Sequence, residues 1–462
     1  MNLFTELRLR LLHSENSFTR FTGRIVRYLP VRLKYGNSYV NTQINIRAFE
    51  KGAFQVEDYI KENFVRVIRN FNDTEFAKTK NLHLREGAQV SEVPIFQSKD
   101  LPKNPIELCP ANQKDLELCT TSGSSGRPKV FYLGRDRGPI ETAFVHHAWK
   151  AAGFNPYHQR AVFRGIDEAD SGELFRWNPI LQELQISPFI LSDDTAPIIW
   201  KEISKRKILY IHGYPSTIEV LAKWIGSRPH EFPDRATIRG LLLISEQTFP
   251  HQRKIFSEVF PRAKQVSFYG QSEKVAFGFQ DERDADLFHF SPIYGFTELL
   301  DDSGAQITQA GQVGNLFSTG FLFRGSSFLR YELGDQAELV QAPSIENRYV
   351  LSVRNIKSRW ESKPIIGSNG RVISLAAVNM HIPELLQFSR VQFIQPEPGK
   401  LQLSVVLKSD SVSDDLKLVE SKLQRKIGDS LEVAVRRVDQ ITLNSRGKAK
   451  LFVSYLDEKN ED

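Results

Sequence analysis

Thr120-Thr121-Ser122-Gly123-Ser124-Ser125-Gly126-Arg127-Pro128-Lys129 is the stretch from which the rest of this chain is read. Gly123 and Gly126 let the backbone turn tightly, so that several N–H groups point into one concavity. Five hydroxyl side chains add donors around it, and Lys129 sets a point charge at its rim. The alternating Leu116-Glu117-Leu118-Cys119 predicts a short strand before the loop, and Val130-Phe131-Tyr132 predicts another after it. A loop of this kind between two strands suits a phosphate. The simpler alternative is an ordinary Gly/Ser turn. It is not a Walker loop, because Arg127-Pro128-Lys129 follows Gly126 where that motif needs Gly-Lys-Ser/Thr.

At 462 residues the chain has room for two or three domains, and 40% hydrophobic with 25% charged residues is the balance of a globular protein. Cys109 and Cys119 are the only cysteines, too few for a disulfide framework or a four-cysteine zinc site, and their scarcity suits a reducing cytoplasm. No segment has the uninterrupted apolar length of a transmembrane helix, and arginines interrupt the N-terminus where a signal peptide would have its apolar core. Up to residue 34, Arg8, Arg10, Arg20, Arg24, Arg27, Arg32 and Lys34 stand against Glu6 and Glu15, giving most of the whole chain's net +6. Leucine and phenylalanine between these charges suit a peripheral contact with an anionic membrane. A basic helical face packed on the main domain is the preferred reading, since a charge run is usually a solvated face. No nucleic-acid-binding module accompanies the charge.

Residues 1 to about 115 mix short helical patterns with extended pieces and carry no recognisable chemistry. From Leu116 to about Val353 the pattern is mixed α/β. Ile208–Ile211, Gly240–Ile244 and Gln265–Phe268 are expected strands, with helices over Ser216–Ile225 and His251–Val259 between them. A second unit follows, with strands over Val391–Ile394, Leu401–Leu407 and Leu431–Val435. The amphipathic helix Asp414–Ile427 turns Leu416, Val419 and Leu423 to one side. The expected architecture is therefore a large layered α/β N-terminal domain, residues 1–355, and a small mobile α+β C-terminal domain, residues 356–462.

Four further stretches carry chemistry. Phe268-Tyr269-Gly270-Gln271-Ser272-Glu273 puts an aromatic ring, a glycine and a carboxylate at a strand end. Arg330-Tyr331-Glu332-Leu333-Gly334-Asp335 offers a carboxylate on a glycine turn, suited to paired ribose hydroxyls. Ile356-Lys357-Ser358-Arg359-Trp360-Glu361 sits at the domain boundary, and Asn444-Ser445-Arg446-Gly447-Lys448-Ala449-Lys450 reads as a loop. Each residue also has an ordinary use: Tyr269 packing in the core, Glu273 capping a helix, Asp335 stabilising its own turn, Lys448 as a solvated charge.

Together with the first loop and in this order, these stretches resemble the adenylate-forming superfamily of acyl-CoA synthetases, peptide-synthetase adenylation domains and luciferases. The finer resemblance, over roughly residues 110 to 455, is to the phenylacetate-CoA ligase branch and its capsular-polysaccharide-biosynthesis (CapK-type) proteins. It rests on Gly213-Tyr214-Pro215-Ser216, Tyr269-Gly270-Gln271-Ser272-Glu273-Lys274 and Pro292-Ile293-Tyr294-Gly295-Phe296-Thr297-Glu298-Leu299. The resemblance implies that Thr121, Ser122, Gly123, Ser124, Ser125, Gly126 and Lys129 hold the phosphates of ATP. Ser245 and Glu246 would lie beside the adenine, with Tyr269 stacked on its face and Gly270 next to it. Glu273 would ligate Mg²⁺, Asp335 would bind the ribose, and Arg359 would approach ribose or phosphate. Lys448, favoured over Lys450, would bridge the substrate carboxylate and the α-phosphate.

The implied activity is ATP-dependent, AMP-forming activation of a small carboxylic acid, with transfer of the acyl group to CoA or to an amine, in a role connected with cell-surface polysaccharide. A non-catalytic nucleotide-binding relative in polysaccharide assembly is the alternative, and Ser358, where the hinge motif normally has glycine, is the feature in its favour. Arg359 to Lys363 would be the hinge. Relatives in this branch often carry a cysteine-containing zinc site, but both cysteines here precede Thr120, so no zinc is expected. His146, His147, His212 and Tyr214 are candidate walls of the acyl pocket, with a core role for His212 equally open.

Overall fold

The computed structural model describes residues 28–121, 129–163, 174–179, 181–187, 191, 193–358, 365–368, 370, 372–373, 375, 378, 385, 388–407, 416–428, 431–442 and 451–456. Among these, two long helices open the chain: α1 (Val31–Glu50), kinked at Gly36, and α2 (Val56–Asn72). The expectation of short helical patterns here underestimates them. The buried stripe Ile60, Phe64, Val67, Ile68 and Phe71 runs the length of α2, and packing of that stripe sustains the helix. Of the basic N-terminal run, Arg32 and Lys34 are described. Arg32 donates to Asn37, while Lys34 lies over the Tyr157 ring and donates to the Pro156 carbonyl. Lys34 thus packs on the main body, whereas Arg32 is exposed and bonds within α1; the remainder of the run lies outside the described residues.

The phosphate-type loop is flanked as expected, by β1 (Leu116–Thr121) and β2 (Lys129–Gly134), an antiparallel pair whose last rung is Thr121 opposite Lys129. Helix α3 (Arg137–Trp149) follows. Next comes a six-stranded sheet built from β3 (Arg160–Phe163), β4 (Phe175–Asn178), β5 (Glu183–Ile186), β6 (Tyr210–Gly213), β7 (Gly240–Leu243) and β8 (Lys264–Val266), in the order β4-β5-β3-β6-β7-β8. All neighbours are parallel except the edge strand β4. Strands β3, β6 and β7 are buried throughout, which fits the apolar stretches Ala161–Phe163, Ile208–Ile211 and Gly240–Ile244. Helices α4 (Ala196–Lys205), α5 (Pro215–Gly226) and α6 (Pro250–Val259) cover this sheet through Ile199, Ile203, Ile218, Leu221, Ile225 and Phe256.

The chain then enters a seven-stranded antiparallel sheet. Its strands are β9 (Phe268–Gly270), β10 (Phe277–Gln280), β11 (Leu287–Phe290), β12 (Gly295–Leu300), β13 (Val313–Gly320), β14 (Tyr331–Gln341) and β15 (Leu351–Ser358), in the order β12-β13-β14-β15-β11-β10-β9. The single strand expected over Gln265–Phe268 is thus two strands in two sheets. Ser267, its N–H donating to the Gln280 side chain, is where the chain changes sheets.

The C-terminal unit holds β18 (Phe388–Gln395), β19 (Lys400–Leu407), α7 (Leu416–Ile427), β20 (Glu432–Arg437) and β21 (Phe452–Ser454), preceded by the short pair β16 (Ile365–Ile366) and β17 (Val372–Ile373). Its four-stranded sheet has the order β20-β19-β18-β21. Helix α7 makes the crossover between the parallel strands β19 and β20. As its periodicity predicts, α7 turns Val419 and Leu423 onto the sheet, both fully buried, with Leu416 partly buried beside them; Ile427 joins the same face. Tyr214 joins this cluster and Ile244 packs against it, so the C-terminal core closes over the end of the parallel sheet. The fold is the layered α/β domain with a separate α+β C-terminal domain that the sequence implies. Among the described residues, no helix is long and apolar enough to cross a membrane. Replacing Leu423 with Ala removes a fully buried side chain from this core and is expected to cost about 2–5 kcal/mol in urea unfolding; a cost under about 0.5 kcal/mol would show that the cluster does not hold the domain.

Candidate active site

Strand β2 carries Lys129, and two contacts fix that strand to the connection between β13 and β14. The Ser326 N–H donates to the Tyr132 carbonyl, and the Tyr132 N–H donates to Ser326 Oγ. Gly325 has φ +118°, and a Cβ there would lie 2.1 Å from the Tyr132 oxygen, so only glycine permits this approach. From β2 the Lys129 side chain reaches Glu273, with Nζ 3.3 Å from Oε1 and both side chains largely buried. Nζ also lies 5.1 Å from the centre of the Tyr331 ring. Burial alone would lower the Lys129 pKa. The Glu273 charge and Tyr331 outweigh it and raise the pKa, so the ammonium stays charged.

Glu273 sits in a turn, Gln271 to Lys274, closed by the Lys274 N–H donating to the Gln271 carbonyl. Lys274, at φ +57°, points away from Glu273 and pairs with Glu141 of α3 at 2.7 Å. The Tyr294 hydroxyl donates to the other oxygen of Glu141 at 2.6 Å. The lysine next to Glu273 is thus neutralised elsewhere, leaving the Glu273 carboxylate to Lys129.

Asp335 is not on a free turn. It lies within β14, where residues 333–335 bulge against Leu316 of β13 between the pairs Phe317–Glu332 and Asn315–Gln336. Gly334, at φ +88°, makes the bulge. The Tyr269 hydroxyl donates to Asp335 Oδ2 at 2.6 Å. The Gln271 amide nitrogen donates to the Tyr269 oxygen at 2.8 Å, to the Leu333 carbonyl at 3.0 Å and to Asp335 Oδ2 at 3.4 Å. Burial of the phenol, and then the Asp335 charge, hold the Tyr269 pKa well above its ordinary value, so it remains a neutral donor.

The start of β14 is fixed by a buried ion pair. Arg330 donates to both oxygens of Glu298 on β12, each at 3.0 Å, and through its third nitrogen to the Val93 carbonyl at 2.8 Å. Burial pushes the Glu298 carboxyl upward and the guanidinium pulls it part of the way back. Neither residue was picked out from sequence, although both stand in quoted motifs; no local pattern pairs two residues so far apart. Gln271 was also missed, and its place inside Tyr-Gly-Gln-Ser-Glu was the only signal.

The structure therefore brings Lys129, Glu273, Tyr269 and Asp335 to one place. Glu246 accepts from the N–H of Ser216 at 3.1 Å and from its hydroxyl at 3.2 Å, at the first turn of α5. Beside it Ser245 is exposed and strained at φ +66°. Gly270 ends β9. Residues 122–128, with Ser122, Gly123, Ser124, Ser125 and Gly126, lie outside the described residues, as do Arg359, the 359–363 hinge, Lys448 and Lys450. Thr121 is described as the end of β1 only.

The acyl-wall candidates are occupied by other contacts. His146 is buried against Tyr39, Trp149 and Phe154, and its Nδ1 is 3.1 Å from the Tyr39 hydroxyl. His147 meets Glu50 at 2.8 Å. His212 is buried, with Nδ1 2.7 Å from the Leu242 carbonyl, and Tyr214 belongs to the C-terminal cluster.

A six-stranded parallel-type sheet, a large antiparallel sheet and a C-terminal α+β domain together make the fold of an adenylate-forming enzyme. The chain superposes on the crystal structure of 2-hydroxyisobutyryl-CoA ligase in complex with 2-HIB-AMP and CoA in the thioesterification state. That match has a TM-score of 0.53 and 15% sequence identity, over 86% of this chain and 88% of that one. The fold is that of the adenylate-forming ligases. Residues 365–455 match the family described as the CapK C-terminal domain. The chain is also 21% identical over 437 residues to protein CapK of Staphylococcus aureus, covering 87% of this chain and 89% of that protein.

Removing Glu298 strands the buried Arg330 charge. Glu298→Ala is expected to cost about 3–5 kcal/mol in urea unfolding; a loss under about 1 kcal/mol would mean that the pair does not anchor β14.

Proposed function

We propose that this chain is an ATP-dependent, AMP-forming ligase that activates a small carboxylic acid as its adenylate and passes the acyl group to CoA or to an amine. The observation that carries this reading is the pairing of Tyr269 with Asp335 and of Lys129 with Glu273, four residues drawn from three separate stretches, with Glu273 close enough for its charge to act on Tyr269. The relative of similar fold is a CoA ligase held with an acyl-AMP and CoA, which supports the same chemistry here.

The residues fit the group they would hold. Mg²⁺ is usually bound by one or two carboxylates together with substrate phosphates, and Glu273 is a buried carboxylate beside a phosphate-seeking lysine. When bound, the ion would neutralise charge on the departing pyrophosphate. Tyr269 would support the adenine, Asp335 would accept from the ribose hydroxyls, and Lys129 with the 120–126 loop would hold the phosphates. The site must let an acid carboxylate attack the α-phosphorus while the bond to pyrophosphate breaks, bringing anion to anion. Lys448 would neutralise that approach, and Arg359 would secure the ribose or phosphate end. Residues 1–355 would bind ATP and acid, and 356–462 would close over them as a lid, keeping water from the adenylate.

The resemblance to CapK supports a role in cell-surface polysaccharide assembly, in a cytoplasmic protein. The test is ATP–pyrophosphate exchange over a panel of aryl, fatty, hydroxy and amino acids with Mg²⁺ and no acceptor. Exchange with one class is expected, falling about 10²–10³-fold in Lys448→Ala. No exchange with any acid, in protein that binds ATP, would favour the non-catalytic nucleotide-binding relative.

A further inference from the structure

Gln271 has a place in the site that none of the motif residues fills. Its amide nitrogen serves Tyr269, Leu333 and Asp335 at once. The Leu333 carbonyl can only accept, so nitrogen and not oxygen must face that side. This leaves Gln271 Oε1 on the other side of the amide, buried and without a hydrogen-bond partner among the described residues. A buried acceptor in a native protein is nearly always satisfied, and an exception inside a binding cluster points to a donor that the ligand brings.

Asp335 narrows what that donor is. Its Oδ2 already accepts from Tyr269 and, at longer range, from Gln271. A carboxylate partly engaged in this way has less capacity for two ribose hydroxyls, and Gln271, whose Nε2 reaches that carboxylate, brings an unpartnered acceptor to the same cluster.

We propose that Gln271 is a ribose-binding and positioning residue: Oε1 accepts from one ribose hydroxyl of the nucleotide, while Nε2 holds Tyr269 and Asp335 in register. This rests on the nucleotide reading above. It adds a residue that reports which sugar is bound, so the site discriminates ribose from deoxyribose through two acceptors instead of one.

The test is calorimetric binding of ATP, 2′-deoxy-ATP, 3′-deoxy-ATP and inosine triphosphate, with Mg²⁺, to the full chain and to Gln271→Met. The variant keeps the length of the side chain and loses the acceptor. Its ATP binding is expected to weaken about tenfold, one hydrogen bond's worth, whereas for one of the two deoxy analogues the substitution changes Kd less than about twofold. Equal weakening for every nucleotide would overturn the ribose contact, since a purely positioning role does not depend on which hydroxyl is present. No weakening at all would overturn both roles. An effect that disappears with inosine triphosphate would assign Oε1 to the adenine amino group and overturn the ribose assignment. Gln271→Ala gives the same comparison if the methionine variant does not fold. Wild-type protein that binds none of the four contradicts the nucleotide reading itself; binding with a uniform substitution effect contradicts this inference alone.

Discussion

One residue, Ser267, separates the last strand of the parallel sheet from the first strand of the antiparallel sheet, and the candidate site exists because of that short passage. With no loop to spare, β9 must start where β8 stops, so Tyr269 is held at the junction of the two layers. In sheet order β9 and β14 are four steps apart, about 19 Å in a flat sheet. Yet the Tyr269 hydroxyl is 2.6 Å from Asp335. The antiparallel sheet must therefore curl, which its bulges and strand twist favour, and the curl brings the aromatic ring and the carboxylate together.

Charge within this curled sheet is handled pairwise. Glu273 has Lys129, Lys274 has Glu141, and Glu298 has Arg330. The first pair joins two residues suited to bind ligands of opposite sign, a phosphate and a cation. Each holds the other's charge in a place where an isolated ion would be costly to bury. The last pair is structural: by fixing both Arg330 and the first residues of β14, it sets where the Gly334 bulge presents Asp335. The site is thus organised by long-range contacts between short motifs, more than by any motif on its own.

What sequence could reveal follows the range of the interaction concerned. Continuous apolar runs marked β6 and β7, and the spacing of Val419 and Leu423 marked α7, because each pattern is written within one element. The strand over Gln265–Phe268 was legible as extended chain, but nothing local shows that its two halves belong to different sheets. Asp335 was legible as a carboxylate beside a glycine, whereas its position on a bulged strand depends on β13. The length of α1 and α2 was underestimated because the surfaces that stabilise them are distant in sequence: α1 packs on Ala143 and His146 of α3, and α2 on Phe296 and Phe321, more than two hundred positions away. Histidines 146 and 147 looked like pocket walls because ring donors and acceptors suit that role; their partners, Tyr39 and Glu50, come from α1 and could not be foreseen.

In this account a common layered scaffold carries the nucleotide site at the junction of its sheets, and the C-terminal domain rests against the same end through Tyr214 and Ile244. The most direct measurement is a crystal structure of the full chain grown with ATP and Mg²⁺. The account predicts the adenine against Tyr269, the ribose at Asp335 and the phosphates beside Lys129, with the ion on Glu273. Nucleotide bound at another place, with the Lys129–Glu273 and Tyr269–Asp335 pairs unchanged and uncovered, would contradict it.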